Sequence, residues 1–196
     1  MTLTIKTFSG PAAVPYFDDV ARLRIEVFRA FPYLYEGSKE YERKYLSTYA
    51  RSPGSVFVLA FDGNEIVGAA TGTPMKGETR EVKAPFVVGG FNTDAIFYFG
   101  ESILRSSYRG RGIGVRFIEE RENHARNLGG MTHCTFCAVE RPDDHPRRPD
   151  NYVPLDEFWR NRGYLPRPDL RTTFNWQDLD ETEESPKPMS FWIKEL

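Results

Sequence analysis

Apolar residues recur at helical spacing near the start of the chain and then alternate or cluster in short runs. Val20, Leu23, Val27 and Ala30, flanked on the same face by Phe17 and Arg24, predict a helix over residues 14–30, after a short strand at 2–8. Pro32 and Gly37 interrupt the pattern. Ser38 as a cap, with Tyr41 and Tyr45 on one face, predicts a second helix over 38–50. Val56 to Phe61, the turn Asp62-Gly63-Asn64 and Glu65 to Thr71 read as a β-hairpin. Residues 76–93, with Gly77, Pro85 and Gly89-Gly90, read as a long loop of the functional or mobile kind. A strand over 95–104 then runs into a glycine-rich turn and a helix ending near Leu128. A strand at 132–139, a Pro- and Arg-rich stretch, a short helix from Leu155 to Arg162 stopped by Gly163, and strands at 170–177 and 189–195 complete the order. No repeat or linker interrupts it, so residues 1–196 read as a single domain, a mixed α/β sheet with helices on its faces.

Composition narrows the function classes. A net charge of −2 lacks the excess of Lys and Arg on which nucleic-acid affinity rests. No apolar run resembles a signal peptide or a membrane span, so the expected address is the cytoplasm. The two cysteines, Cys134 and Cys137, have a C-x-x-C spacing, yet they fall on a strand between Gly130 and polar residues. Three residues apart on a strand they face opposite ways, roughly 10 Å apart, too far for a disulfide. With few histidines left to complete a zinc site, strand packing is favoured and no metal is expected.

The segment that carries chemistry is Arg109-Gly-Arg-Gly-Ile-Gly114, between a strand and a helix. Glycines there let backbone N–H groups approach an anion, and the helix N-terminus adds positive partial charge. Arg105, Arg109, Arg111 and Arg116 add formal charge. A surface turn with solvated arginines is the plain alternative, but the strand–turn–helix context favours a phosphate site. A P-loop needs Gly-Lys-Ser/Thr where this chain has Gly114-Val-Arg, and G-x-G-x-x-G counted from Gly110 ends on Val115. Arg109, Gly112 and Gly114 instead satisfy Arg/Gln-x-x-Gly-x-Gly/Ala, which resembles the pyrophosphate motif of the GNAT acetyltransferases. Phe158-Trp-Arg-Asn-Arg-Gly-Tyr164 is similar to that family's fourth-helix signature, and the order of elements follows the family over nearly the whole chain.

The resemblance implies a mostly antiparallel mixed sheet of six to seven strands with about four helices. It implies that acetyl-CoA gives up its acetyl group to a small-molecule or peptide amine. Arg109, Gly110, Arg111, Gly112, Ile113, Gly114 and Val115 would then hold the pyrophosphate through main-chain N–H groups, with Phe158 and Trp159 nearby. Ile103 and Leu104 would bond the pantetheine arm in a gap between splayed strands, with the Leu104 N–H as oxyanion donor. Glu101, in an otherwise apolar strand, is the favoured base, although a salt-bridged or edge-facing glutamate fits the same position. Trp159 stands where the family often has a proton-donating tyrosine, so Tyr152, Tyr164 or water takes that role. Phe31, Tyr33 and Tyr35, between the first two helices, either line the amine pocket or simply pack their loop. Arg141, His145, Arg147 and Arg148 either read an acidic substrate group or are solvated. The Trp159 substitution also leaves open a non-catalytic acyl-CoA sensor, and the two C-terminal strands are suited to a homodimer.

Overall fold

The computed structural model describes residues 3–196, and residue 2 of the expected first strand lies outside them. The strands are β1 (Leu3–Ser9), β2 (Val56–Asp62), β3 (Glu65–Pro74), β4 (Ile96–Leu104), β5 (His133–Val139), β6 (Leu165–Trp176) and β7 (Ser185–Glu195). The helices are α1 (Phe17–Phe28), α2 (Lys39–Arg51), α3 (Arg80–Val88), α4 (Ile113–Leu128) and α5 (Asp156–Arg160). One seven-stranded sheet results, in the order β1-β2-β3-β4-β5-β7-β6. Every pairing is antiparallel except β4 with β5, whose parallel ladder joins only Ile96–His133, Phe97–Cys134 and Tyr98–Thr135.

Local signals account for most boundaries. Ser38 caps α2 by accepting from the Tyr41 N–H, and Gly112, in the left-handed region at φ 79°, caps α4. Residues Val56 to Phe61 are all buried because helices cover both faces of β2. On one face α4 brings Ile113 and Phe117 against Val56, Val58, Phe97 and Phe99. On the other, Leu23 of α1 and Leu46 of α2 meet Phe57, Leu59 and Ile103. A third core joins α3 to the C-terminal hairpin through Val82, Phe86, Leu170 and Phe191.

Two expectations need correction. The long loop holds α3, in which Pro85 stands inside the helix. Its breakers mark the ends, and burial of Val82 and Phe86, one turn apart, outweighs the lost hydrogen bond of an interior proline. The last two strands are also longer than their apolar runs. Pro166 and Pro168 sit on the edge strand β6, while Pro186 and Pro188 lie beyond the stretch of β7 that β5 pairs, so neither pair needs a ladder donor.

The cysteines behave as strand residues. Cys134 is buried against the α4 side and Cys137 packs with the α3 side, 3.3 Å from the Tyr98 hydroxyl. Burial pushes each thiol up to about 12, so neither is a ready nucleophile.

The β6–β7 turn is tied by charge. Glu181 accepts from Lys187 Nζ at 2.7 Å, the Asp178 N–H at 2.9 Å and the Ser185 hydroxyl at 2.7 Å. These donors, Lys187 first, hold the Glu181 carboxyl at about 2, below its usual 4.5. A carboxyl depressed on folding contributes stability that is complete above the usual value and is lost as pH falls through the folded one. Glu181→Gln is therefore expected to be less stable than the parent near neutral pH, with the difference closing between pH 4.5 and about 2. Urea unfolding of both proteins across that range checks it, and a pH-independent difference counts against the assignment.

Candidate active site

The geometry of the glycine turn is suited to an anion. Ser106–Tyr108 form a single 3-10 turn, and the Tyr108 hydroxyl bonds Asp62 at 2.9 Å, fixing the turn to the β2–β3 hairpin. Gly110 and Gly112 then take φ of 75° and 79°, conformations that side chains rarely adopt. The first α4 hydrogen bond runs from the Arg116 N–H to the Gly112 carbonyl, so the amides of Ile113, Gly114 and Val115 have no helical acceptor. Among the described residues nothing lies within 4 Å of where a Cβ on Gly110 or Gly112 would stand, which leaves room for a ligand. A shallow groove of about 520 Å³ adjoins the turn, bordered by Ile5, Arg111, Gly112 and Val115. A Cβ on Gly114, by contrast, would come 3.2 Å from Phe158, so α5 packs directly on the start of α4.

The four arginines divide. Arg105 is drawn away to Glu26 and Glu65, and Arg116 to Glu120, so neither adds free charge to the cradle. Arg111 folds over the Tyr108 ring and donates to the Ser107 carbonyl at 3.0 Å, while Arg109 is exposed. The sequence expectation of four phosphate-facing arginines reduces to two.

Beyond Tyr98 the two parallel strands part, β5 going on with β7 while β4 stays with β3 alone. At this point Gly100 and Glu101 stand opposite the single residue Thr71, a bulge in β4. Gly100 has no alternative there, since a Cβ would fall 2.2 Å from the Tyr49 hydroxyl. The Arg105 N–H bonds the Val67 carbonyl at 3.0 Å. By the alternation of an antiparallel ladder, the Leu104 N–H points the other way, into the gap, and that of Ile103 points to β3. The Leu104 N–H thus lies off the β3 ladder, whereas the Ile103 side chain is core and its N–H faces β3.

Glu101 is buried between the sheet and α1–α2. Its Oε2 lies 2.7 Å from Arg24 Nη1 and accepts the Tyr45 hydroxyl at 3.0 Å, while its Oε1 has no partner among the described residues. Arg24 also donates to Glu42, fully buried on α2. Burial opposes the Arg24 charge, but Glu101, Tyr45 and Glu42 outweigh it and raise its pKa. The Tyr45 and Tyr49 hydroxyls are 3.1 Å apart, and burial pushes both phenols up, so they act as neutral donors. Arg24 was visible as a charge on the apolar face of α1; its partners were not, because they come from α2 and β4.

A family model described as the acetyltransferase (GNAT) family matches residues 19–149, about two thirds of the chain. The chain belongs to the GNAT acetyltransferase family. Solved structures agree at the level of fold. The PaiA N-acetyltransferase of Thermoplasma acidophilum in complex with coenzyme A is 13% identical, with TM-score 0.59 and 100% of both chains covered. A ribosomal-protein-alanine N-acetyltransferase from Brucella melitensis is 16% identical at TM-score 0.61, covering 98% of this chain and 99% of that one. An aminoglycoside 6'-acetyltransferase type Ii is 16% identical at TM-score 0.58, covering 98% and 96%. No curated protein sequence matches the chain significantly.

The remaining expected site residues of this GNAT chain are distributed unevenly. Tyr164 is fully buried, and its hydroxyl donates to Glu122 at 3.0 Å beside Lys194, which holds the same carboxylate at 2.8 and 2.9 Å. Burial, then the neighbouring Cys134 and Glu122, raise its pKa, and its proton is committed to Glu122; it does not fit the role of acid. Trp159 packs on Phe136 and Trp192 at centroid distances of 5.1 and 5.0 Å. Tyr152 is half-buried, with its ring edge-on to Phe31 at 4.7 Å and under Arg148 at 5.2 Å. Tyr33 lies between Phe28 and Trp176, and Tyr35 beside Glu42.

Arg141 is not free to read a substrate. It donates to the Pro32 and Tyr33 carbonyls at 2.8 and 2.9 Å and pairs with buried Asp178 at 2.7 Å, clamping the α1–α2 loop to the β6–β7 turn. Sequence reading missed Asp178, which has no local signal for a partner 37 residues away.

Placing Tyr164 in the core has a measurable consequence. Tyr164→Phe is expected to lower stability by about 1.5–3 kcal/mol, the worth of a hydrogen bond to a charged group, and to leave acetyl transfer at the parent rate. Denaturant unfolding and turnover measured on the same samples decide it; a loss of turnover without a loss of stability returns Tyr164 to the chemistry.

Proposed function

We propose that the protein moves the acetyl group of acetyl-CoA to a primary amine by direct attack of the amine on the thioester. One conjunction carries the reading. The free amides of Ile113 to Val115 begin one short turn after β4, and Gly114 packs on Phe158, whose neighbour Trp159 lies on Phe136 of β5, so they stand beside the strands between which the Leu104 N–H points. The cradle, from Arg109 to Val115, suits the pyrophosphate, with Arg109 and Arg111 as its charged rim. The unpaired edge of β4 suits the amides of a pantetheine arm, whose bonding would satisfy backbone groups left without a strand neighbour.

The residues of this chain then divide the work. The Leu104 N–H donates to the carbonyl oxygen as it gains charge, the amine nitrogen bonds to the acyl carbon, and the carbon–sulfur bond breaks. Glu101 accepts the amine proton, directly or through water. Arg24 and Tyr45 fix its Oε2, leaving Oε1 open to a new partner. Tyr152 is the phenol that fits protonation of the departing thiolate: unlike Tyr164, its hydroxyl is committed to no acceptor among the described residues, and Arg148 and Arg109 oppose the rise that burial gives its pKa. Phe31, Tyr33 and Tyr35 line the acceptor side on a loop held rigid by Arg141 and Asp178. The acceptor is a small-molecule or peptide amine, in keeping with neighbours named for an aminoglycoside and for a ribosomal-protein alanine.

Calorimetric titration with acetyl-CoA, with NAD and ATP as controls, tests the reading. One-to-one binding of acetyl-CoA alone supports it; binding of a control nucleotide instead overturns it. Binding without release of free CoA across a panel of amines favours the non-catalytic sensor, the reading that Trp159 keeps in play.

Two substitutions sharpen the assignment. Gly112→Glu sets a carboxylate at the cradle for about 1–2 kcal/mol of backbone strain, and is expected to weaken acetyl-CoA binding at least tenfold while the protein stays folded. Parent-like affinity would move the pyrophosphate elsewhere. Glu101→Gln keeps the size of the side chain and is expected to lower kcat by about 10²–10⁴ with acetyl-CoA affinity unchanged. Parent-like turnover would falsify the role of Glu101.

A further inference from the structure

Arg121 of α4 is the largest side chain buried to this degree, 2% exposed, and the acyl-transfer chemistry does not use it. Its Nε donates to the Phe117 carbonyl of its own helix at 2.9 Å, which aims the planar fork at the sheet. There Nη1 donates to two carbonyls, those of Thr71 and Glu101, each at 3.1 Å, and Nη2 to the Ser102 hydroxyl at 2.6 Å. The Phe99 ring lies 3.9 Å from the guanidinium carbon. Burial lowers its pKa to about 10, so the cation persists at neutral pH.

A charge buried on carbonyls, a hydroxyl and a ring is expensive, and a leucine or methionine would fill the space at less cost. The carbonyls give the reason for it. Thr71 and Glu101 are the residues on the two sides of the β4 bulge, and one planar fork reaches both. A bulge is a phase shift in a strand. Removing it would slide the register by one residue and turn the following side chains to the opposite face. Glu101 would then leave Arg24 and Tyr45, and the Leu104 N–H would turn from the gap toward β3.

We propose that Arg121 is a positioning residue for acetyl transfer, pinning the bulge so that β4 presents Glu101 to the acceptor side and Leu104 to the acyl donor. The role rests on the acyl-transfer reading above. Lysine, a single charged point on a flexible stem, does not replace the fork.

Arg121→Met and Arg121→Lys test it beside Ile118→Val, which disturbs the same helix and core without touching the bulge. Acetyl-CoA affinity and amide exchange over residues 99–104 are read at a temperature where every variant is folded. In Arg121→Met, affinity is expected to fall at least tenfold and exchange over 99–104 to quicken at least tenfold relative to β2. Arg121→Lys is expected to recover only part of either, and Ile118→Val to keep both. With an acceptor in hand, kcat falls and the KM for the amine holds. Should Arg121→Met fail to fold, Arg121→Lys carries the same criterion. Parent-like exchange over 99–104 in the variants overturns the role, whatever the parent binds. A parent that binds no acetyl-CoA overturns the acyl-donor reading and leaves the exchange result to decide what Arg121 does to β4.

Discussion

Backbone N–H and C=O groups inside a sheet must be bonded, and β4 is the strand where this sheet stops supplying partners. Its ladder with β5 ends at Tyr98, and from there the strand has β3 on one side and a gap on the other. Much of the structure follows from how that opening is kept from closing or collapsing. The β7 strand pairs β5 along its whole length on the edge opposite β4, and so holds β5 to the C-terminal hairpin as it leaves β4. The bulge at Gly100–Glu101 bends β4 at the same level, and Tyr49 fills the space that a side chain on Gly100 would need. The turn after β4 delivers the N-terminus of α4 against Phe158 of α5, whose neighbour Trp159 packs on β5, so the positive end of a helix comes close to the strands that part.

Buried charge holds the elements around this opening. Arg24 joins α1 to α2 through Glu42 and to β4 through Glu101. Arg141 and Asp178 tie the end of β5 to the β6–β7 turn and to the α1–α2 loop. Glu122, between Lys194 and Tyr164, fastens α4 to β7. Such pairs add little net stability over apolar packing, yet losing one partner costs about 3–5 kcal/mol because the other stays buried and uncompensated. Their value here is geometric. Each joins segments far apart in sequence at fixed distances and directions, as a site for acyl transfer requires.

Legibility tracked the range of the physics involved. The cradle could be read because it demands particular residue types in consecutive positions: glycines at positive φ and a free helix N-terminus. Ser38 as a cap, the hairpin at Gly63 and the opposed faces of Cys134 and Cys137 were equally local, and each is present. The α3 helix was hidden by its own punctuation, since Pro85 and the flanking glycines read as loop until Val82 and Phe86 find a core to enter. The β6 and β7 strands were shortened on paper by prolines that an edge tolerates.

By itself the sequence determined the order of elements apart from α3, the position of the glycine turn and the resemblance that named a family. Each of these is written in short runs of residues, where propensity, capping and backbone freedom act without reference to the rest of the chain. Tertiary structure alone decided what the charged and phenolic side chains do. Arg105 and Arg116 could have faced the cradle and are spent on carboxylates; Tyr164 could have faced the chemistry and is bonded to Glu122; Arg121 carries no motif and spans the bulge. A side chain's role depends on which partner reaches it first across the fold, and those partners come from elements tens of residues away.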